Sequence, residues 1–217
     1  MNKFNNVISR IEDSSRDPLE VTYNGNFYIE DFISNGVVIL SFDVLKKLFN
    51  FYTYTMNNCS EYGCFLYGNR LDDGSIFLDC VSCFDFEIVD SKIVNVSSDN
   101  IRELKSNLRN NLYNCVAHVH SHPELGDLYA SECYSEQDLY VYGYLQKHFQ
   151  AGIDIVSFIG CLINNCNDLS FIYYDSYKKK FYSIRDIYCL VDSNLFKFND
   201  FDSFFNKQFV KSRYCLK

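Results

Sequence analysis

Apolar and polar residues alternate in short runs near the start of the chain, then settle into longer segments with a helical period. In EVTYNGNFYIEDF the alternation runs on both sides of Asn24-Gly25, which predicts a β-hairpin. A short apolar run at 37–40 predicts a strand, and Ser41 after it is a suitable helix N-cap. The following helix carries Val44, Leu45, Leu48 and Phe49 on its inner face. EYGCFLYGN, residues 61–69, reads as a buried strand. LDDGSIFLDCVSCFDFEIV continues it as a hairpin turning at Asp73-Gly74.

The second half repeats this vocabulary. Residues 98–112 open with a Ser/Asp capping signal and space Ile101, Leu104, Leu108 and Leu112 as one helix face. YNCVAHVHSH reads as a strand, and SEQDLYVYGYLQKHF as a helix capped at Ser135. DIVSFIGCLIN, LSFIYYD and KKFYSI are three further strands, and the tail FNDFDSFFNKQFVKSRYCLK reads as a short amphipathic helix. Strands alternating with helices predict an α/β layered domain, a mixed central β-sheet flanked by helices.

Composition narrows the function classes. With 47% hydrophobic and 18% aromatic residues in 217, the chain is a folded one with a sizeable core. A formal charge of -8 argues against sequence-independent nucleic-acid binding, which depends on Lys and Arg neutralising phosphates. The first residues lack the apolar stretch of a signal peptide, and no window has the roughly 18 apolar residues of a membrane span. The expectation is a cytoplasmic protein with no membrane or nucleic-acid partner. Its ten cysteines are then mostly small buried hydrophobes in a reducing compartment.

Against that background the histidines stand out. All four lie within 114–149, and three of them, His118, His120 and His122, occupy alternate positions of one strand. Alternate side chains leave a strand on the same face, so His120 and His122 are set side by side as two ligands for a metal such as Zn²⁺. The helix start SEQD offers Asp138 as a third ligand, and Pro123 ends the strand and turns the chain outwards. Asp127 and Glu132 are the other carboxylates of this segment within conceivable reach. His118 has the same facing and reads as a buried histidine or one that orients a ligand. His148 reads as a solvent-side residue near a helix C-terminus.

HSHP followed by SEQD resembles the JAMM (MPN+) zinc metalloproteases of the JAB domain superfamily. Their signature is an upstream Glu, then His-x-His, seven residues, Ser, two residues and Asp. EYGCFLYG resembles the upstream segment, with Glu61 seven residues before Gly68. The order of elements is similar over residues 36–188, leaving 1–35 as an N-terminal extension and 189–217 as a C-terminal tail. One departure is the loop between His122 and Ser135, which has twelve residues. It reads as a five-residue insertion, at little entropic cost. Ser131 sits closer to the usual serine position, but Tyr134, not an acid, lies three residues beyond it.

The resemblance implies one zinc ion per chain, held by His120, His122 and Asp138. It makes Glu61 the general base that takes a proton from water and passes it to the leaving amine, and Ser135 an oxyanion donor. The substrate it implies is a peptide or isopeptide bond at the C-terminus of a ubiquitin-like modifier, in deconjugation or precursor processing. The insertion at 124–134 would then cover the bound tail. Two alternatives stay open: a non-catalytic MPN-type interaction scaffold, and a JAB peptidase acting on a phage-tail or cell-wall peptide. A zinc deaminase needs a downstream Pro-Cys-x-x-Cys, whereas the chain's CVSC, residues 80–83, lies upstream and lacks the Pro. That CVSC is also half of a zinc ribbon with no second half.

Overall fold

The chain turns from strand to helix at Ser41, and this is where the layering begins. Strand β2 (Val37–Ser41) buries alternate residues, and the Ser41 hydroxyl accepts a hydrogen bond of 3.3 Å from Val44 N–H to start helix α1 (Phe42–Asn58). Val44, Leu45, Leu48, Phe51 and Thr55 form its buried stripe. Phe49 lies beside that stripe and meets the rings of Phe201 and Phe205 at 5.7 and 4.9 Å. A computed structural model describes residues 29–30, 37–82, 87–90, 93–95, 113–123, 134–135, 138–139, 157–164, 168–175, 180–184 and 186–214, together with Ser106, Asn110 and Tyr142. The expected hairpin around Asn24-Gly25 and most of the expected helix at 98–112 lie outside these residues.

The remaining strands are β1 (Ile29–Glu30), β3 (Gly63–Arg70), β4 (Ile76–Val81), β5 (Glu87–Asp90), β6 (Ile93–Asn95), β7 (Cys115–Ser121), β8 (Ser157–Ile163), β9 (Leu169–Asp175), β10 (Lys180–Ile184), β11 (Asp186–Val191) and β12 (Asn194–Lys197), followed by helix α2 (Phe201–Tyr214). One large mixed sheet runs β1-β10-β9-β8-β7-β3-β4-β2-β11-β12, and β5 and β6 pair separately. The protein is therefore α/β, with a mixed sheet and few helices among the described residues. The three strands expected at DIVSFIGCLIN, LSFIYYD and KKFYSI are β8, β9 and β10. The hairpin expected at Asp73-Gly74 joins β3 to β4, with Gly74 at φ +86°.

Strand β7 lies inside the sheet, antiparallel to β3 and parallel to β8, and every residue from Cys115 to Ser121 is buried. The sheet also continues past residue 188. β11 pairs in parallel with β2, and β12 pairs with β11. The tail helix docks on its own chain: Phe201 and Phe204 are buried, and Phe201 stacks on Tyr52 of α1 at 5.9 Å. The six cysteines among the described residues are free thiols, and Cys64, Cys115, Cys161 and Cys189 are buried. Burial pushes the Cys115 and Cys189 thiols up to about 12, so they pack as neutral apolar groups.

Gly68 closes the EYGCFLYG segment for a packing reason. The pairing of β3 with β4 shifts register at Tyr67/Gly68, and a Cβ at residue 68 would lie 1.8 Å from the Phe77 carbonyl oxygen. Replacing Gly68 by Ala is expected to lower stability by about 3 kcal/mol or more. Phe201→Ala should cost about 3–5 kcal/mol by opening the seam between α1 and α2. Urea unfolding of both variants checks this; a loss below 1 kcal/mol for Phe201→Ala would mean that α2 is not docked as described.

Candidate metal centre

The period of two along β7 sends His118, His120 and His122 to one face and Ala117, Val119 and Ser121 to the other. Ser121 holds the strand end in place from behind. Its Oγ lies 2.6 Å from Thr55 Oγ1 of α1 and accepts from Tyr62 N–H at 3.1 Å, while its own N–H donates to Tyr62 O at 2.9 Å. His122 N–H donates to Ile163 O at 2.9 Å, so the segment is gripped from both neighbouring strands and from the helix. Both histidines are buried, with His120 at 5% and His122 at 7% exposure.

Asp138 reaches them from the first turn of a helix that starts at Ser135. The Leu139 N–H donates to Ser135 O at 3.1 Å, and the Asp138 N–H donates to Ser135 Oγ at 3.2 Å. In return Asp138 Oδ2 accepts from the Ser135 N–H and from its hydroxyl, both at 2.7 Å. This is a capping box with Asp in the third helical position. The same carboxylate faces the imidazoles: Oδ1 is 3.4 Å from His120 Nε2, and Oδ2 is 3.4 Å from His122 Nε2. The two Nε2 atoms are 3.0 Å apart.

These three donors form a group that could bind a metal ion. Zinc with ligands at about 2.0–2.1 Å in tetrahedral array holds its donors about 3.3 Å apart, near the 3.0 Å between the two Nε2 atoms and the 3.4 Å from each of them to a different oxygen of Asp138. The donor chemistry, two imidazoles and a carboxylate, also suits zinc. Burial raises the Asp138 carboxyl, but electrostatic attraction to His120 and hydrogen-bonding contacts with His120, His122 and Ser135 outweigh it. The net effect holds the group well below the usual carboxylate range. The acid is therefore ionised, as a ligand must be.

Glu61 lies two residues before β3 and is half-buried. Because Gly63 pairs with His120 and Tyr62 bonds to Ser121, the backbone at Glu61 runs alongside that of His122. It is not one of the three clustered donors among the described residues. His118 is not one either. Its ring lies parallel to that of His120 at 6.5 Å and packs against Phe65 and Tyr142, each at 5.4 Å. Burial, reinforced by His120 and opposed by Asp138, pushes it down to about 3, so it is neutral at neutral pH. The strand ends as expected and Pro123 is buried; the course of the chain after it lies outside the described residues, and Ser135, beside Asp138, is exposed. Asp127, Ser131, Glu132 and His148 lie outside the described residues. Of the CVSC pair, Cys80 is a free thiol on β4 and Cys83 lies outside them.

Sequence reasoning missed Tyr142. Its hydroxyl is hydrogen-bonded to His120 Nδ1 and donates to Cys161 O at 3.1 Å. Burial raises the phenol well above its ordinary range, so it keeps its proton. Two signals pointed to it: Tyr142 is four residues from Asp138 on one helix face, and Gly160 interrupts a strand. A Cβ at residue 160 would lie 2.7 Å from the Tyr142 ring, so the glycine makes room for it.

No family model matches the chain, and no curated protein matches it. Among the described residues, no helix is long and apolar enough to cross a membrane.

The wild-type chain is expected to bind one zinc ion. His122→Ala and Asp138→Ala should each weaken binding by more than about a hundred-fold, beyond what is usual for losing a partner of a ligand. Elemental analysis after dialysis checks this. Zinc retained at full stoichiometry in Asp138→Ala would remove that carboxylate from the ligand set.

Proposed function

We propose that the chain is a zinc-dependent metallopeptidase of the JAMM type, hydrolysing peptide or isopeptide bonds at the C-terminus of a ubiquitin-like modifier. The observation that carries this reading is the clustering of His120, His122 and a Ser135-capped Asp138, whose ligand atoms lie within 4.8 Å of one another. A second support is the arrangement of α1 behind β7 and the Ser135 helix start in front of it, which suits the JAB-type layering that the resemblance implies.

In this reading His120, His122 and Asp138 hold the metal. When bound, zinc supplies Lewis acidity and makes a water acidic enough to lose a proton near neutral pH. Glu61 is the base for that proton. Its carboxylate accepts it from water as the water oxygen bonds to the acyl carbon, and the resulting acid returns it to the leaving amine as the C–N bond breaks. Ser135 has two tasks. In the structure its hydroxyl proton is given to Asp138 Oδ2, which fixes the carboxylate. To donate to a developing oxyanion, the hydroxyl must swing from Asp138 to the substrate once the carboxylate's charge is shared with a metal. The acidic chain, at -8, suits a substrate whose face beside its tail is basic.

The test uses zinc-loaded wild type, Glu61→Gln and Asp138→Ala with ubiquitin-like proteins carrying a C-terminal fluorogenic amide. Wild type should release the fluorophore. Glu61→Gln should keep its zinc and lose about 10²–10⁴-fold in rate, the usual worth of a positioned general base. A zinc-loaded wild type that binds such proteins without cleaving them would favour the non-catalytic scaffold. Cleavage confined to tail or cell-wall peptides would replace the substrate class.

A further inference from the structure

Tyr142 does more at this site than fill the core. A phenol has one proton, and the Cys161 carbonyl, 3.1 Å away, can only accept it. The Tyr142 oxygen is then left as an acceptor, and the group it faces is His120 Nδ1. A neutral imidazole carries one N–H. If that N–H is on Nδ1 and points at Tyr142, Nε2 has a lone pair, and Nε2 is the atom aimed at Asp138 and His122.

We propose that Tyr142 is a positioning residue, which fixes both the tautomer and the aim of His120 so that Nε2 is presented to the metal. The proposal rests on the reading of His120, His122 and Asp138 as the metal site. Its seat is built into the fold. Gly160, paired with His118 across β7 and β8, leaves the space into which the Tyr142 ring fits. Tyr142 also rides on the same helical face as Asp138, so the helix that supplies the carboxylate ligand supplies the partner of the imidazole ligand too. A neighbouring tyrosine provides the comparison. Tyr134 also packs on His120, at 6.1 Å, and on Tyr142, at 5.8 Å, but its hydroxyl donates to Ser170 O at 2.8 Å and, among the described residues, serves no ring nitrogen.

The experiment compares full-length wild type, Tyr142→Phe and Tyr134→Phe. Zinc affinity is measured by competition with a chromophoric chelator, and the absorption spectrum is recorded with cobalt(II) in place of zinc. Both substitutions keep the ring and remove one buried hydroxyl, so the Tyr142→Phe ring still fits over Gly160. Thermal unfolding of the metal-free proteins verifies that all three are folded. Tyr142→Phe should weaken zinc binding about 10- to 100-fold, the usual effect of losing the partner of a ligating histidine, and should alter the cobalt spectrum. Tyr134→Phe should leave both within threefold of wild type and unchanged in shape. Equal affinities and spectra for wild type and Tyr142→Phe would overturn the proposal while leaving the metal site intact. Equal losses in the two variants would also overturn it, since hydroxyl removal anywhere in the cluster would then suffice. A wild type that binds neither metal would overturn the metal site and this proposal together.

Discussion

Placing imidazoles on the fully buried face of an interior strand is unfavourable unless their nitrogens are given partners, and much of this protein can be read as the provision of those partners. β7 brings three histidines to one face. His120 is met by Tyr142 and Asp138, and His122 by Asp138. His118 is kept neutral by burial and packed between aromatic rings. Such an arrangement holds only if β7 cannot slide. A shift of one residue would send every histidine to the opposite face. The Ser121 bonds to Thr55 and to the Tyr62 backbone, and the His122 bond to Ile163, lock that register where it matters most.

The same few contacts tie the site to the rest of the chain. Thr55 belongs to the last turns of α1, α1 covers the sheet near β2 and β4, and α2 packs its phenylalanines along the flank of α1. The Ser135-x-x-Asp138 unit is doubly employed. As a capping box it starts the helix, and the helix N-terminus favours the negative charge that a metal ion would require of the carboxylate. The imidazoles face that charge, which helps hold Asp138 ionised despite its burial.

The parts of the site set by local rules were legible in the sequence. The two-residue period of β7 placed His120 and His122 together, and Ser135 with Asp138 announced a helix start. Ser41 and the Asp73-Gly74 turn were legible in the same way. What escaped depends on partners distant in the chain. β11 owes its place to parallel pairing with β2, almost 150 residues earlier, and so it was not read as a strand and the expected domain boundary at 188 fell inside it. Tyr142 looked like one more aromatic in a helix, because the nitrogen that gives it meaning belongs to a strand residue 22 positions earlier. Phe49, assigned to the inner face, lies on the side of α1 that α2 covers. Gly68 resembled a motif residue, whereas the structure gives it a steric reason, the close approach of the Phe77 carbonyl.

The central claim is that two imidazoles and one carboxylate, and no thiol, hold a zinc ion at the end of β7. X-ray absorption at the zinc edge on the purified wild-type chain tests it most directly. The account predicts a first shell of nitrogen and oxygen at about 2.0–2.1 Å, with the outer-shell scattering of two imidazole rings. A sulfur shell at about 2.3 Å would contradict it by moving the metal to cysteine ligands elsewhere in the chain.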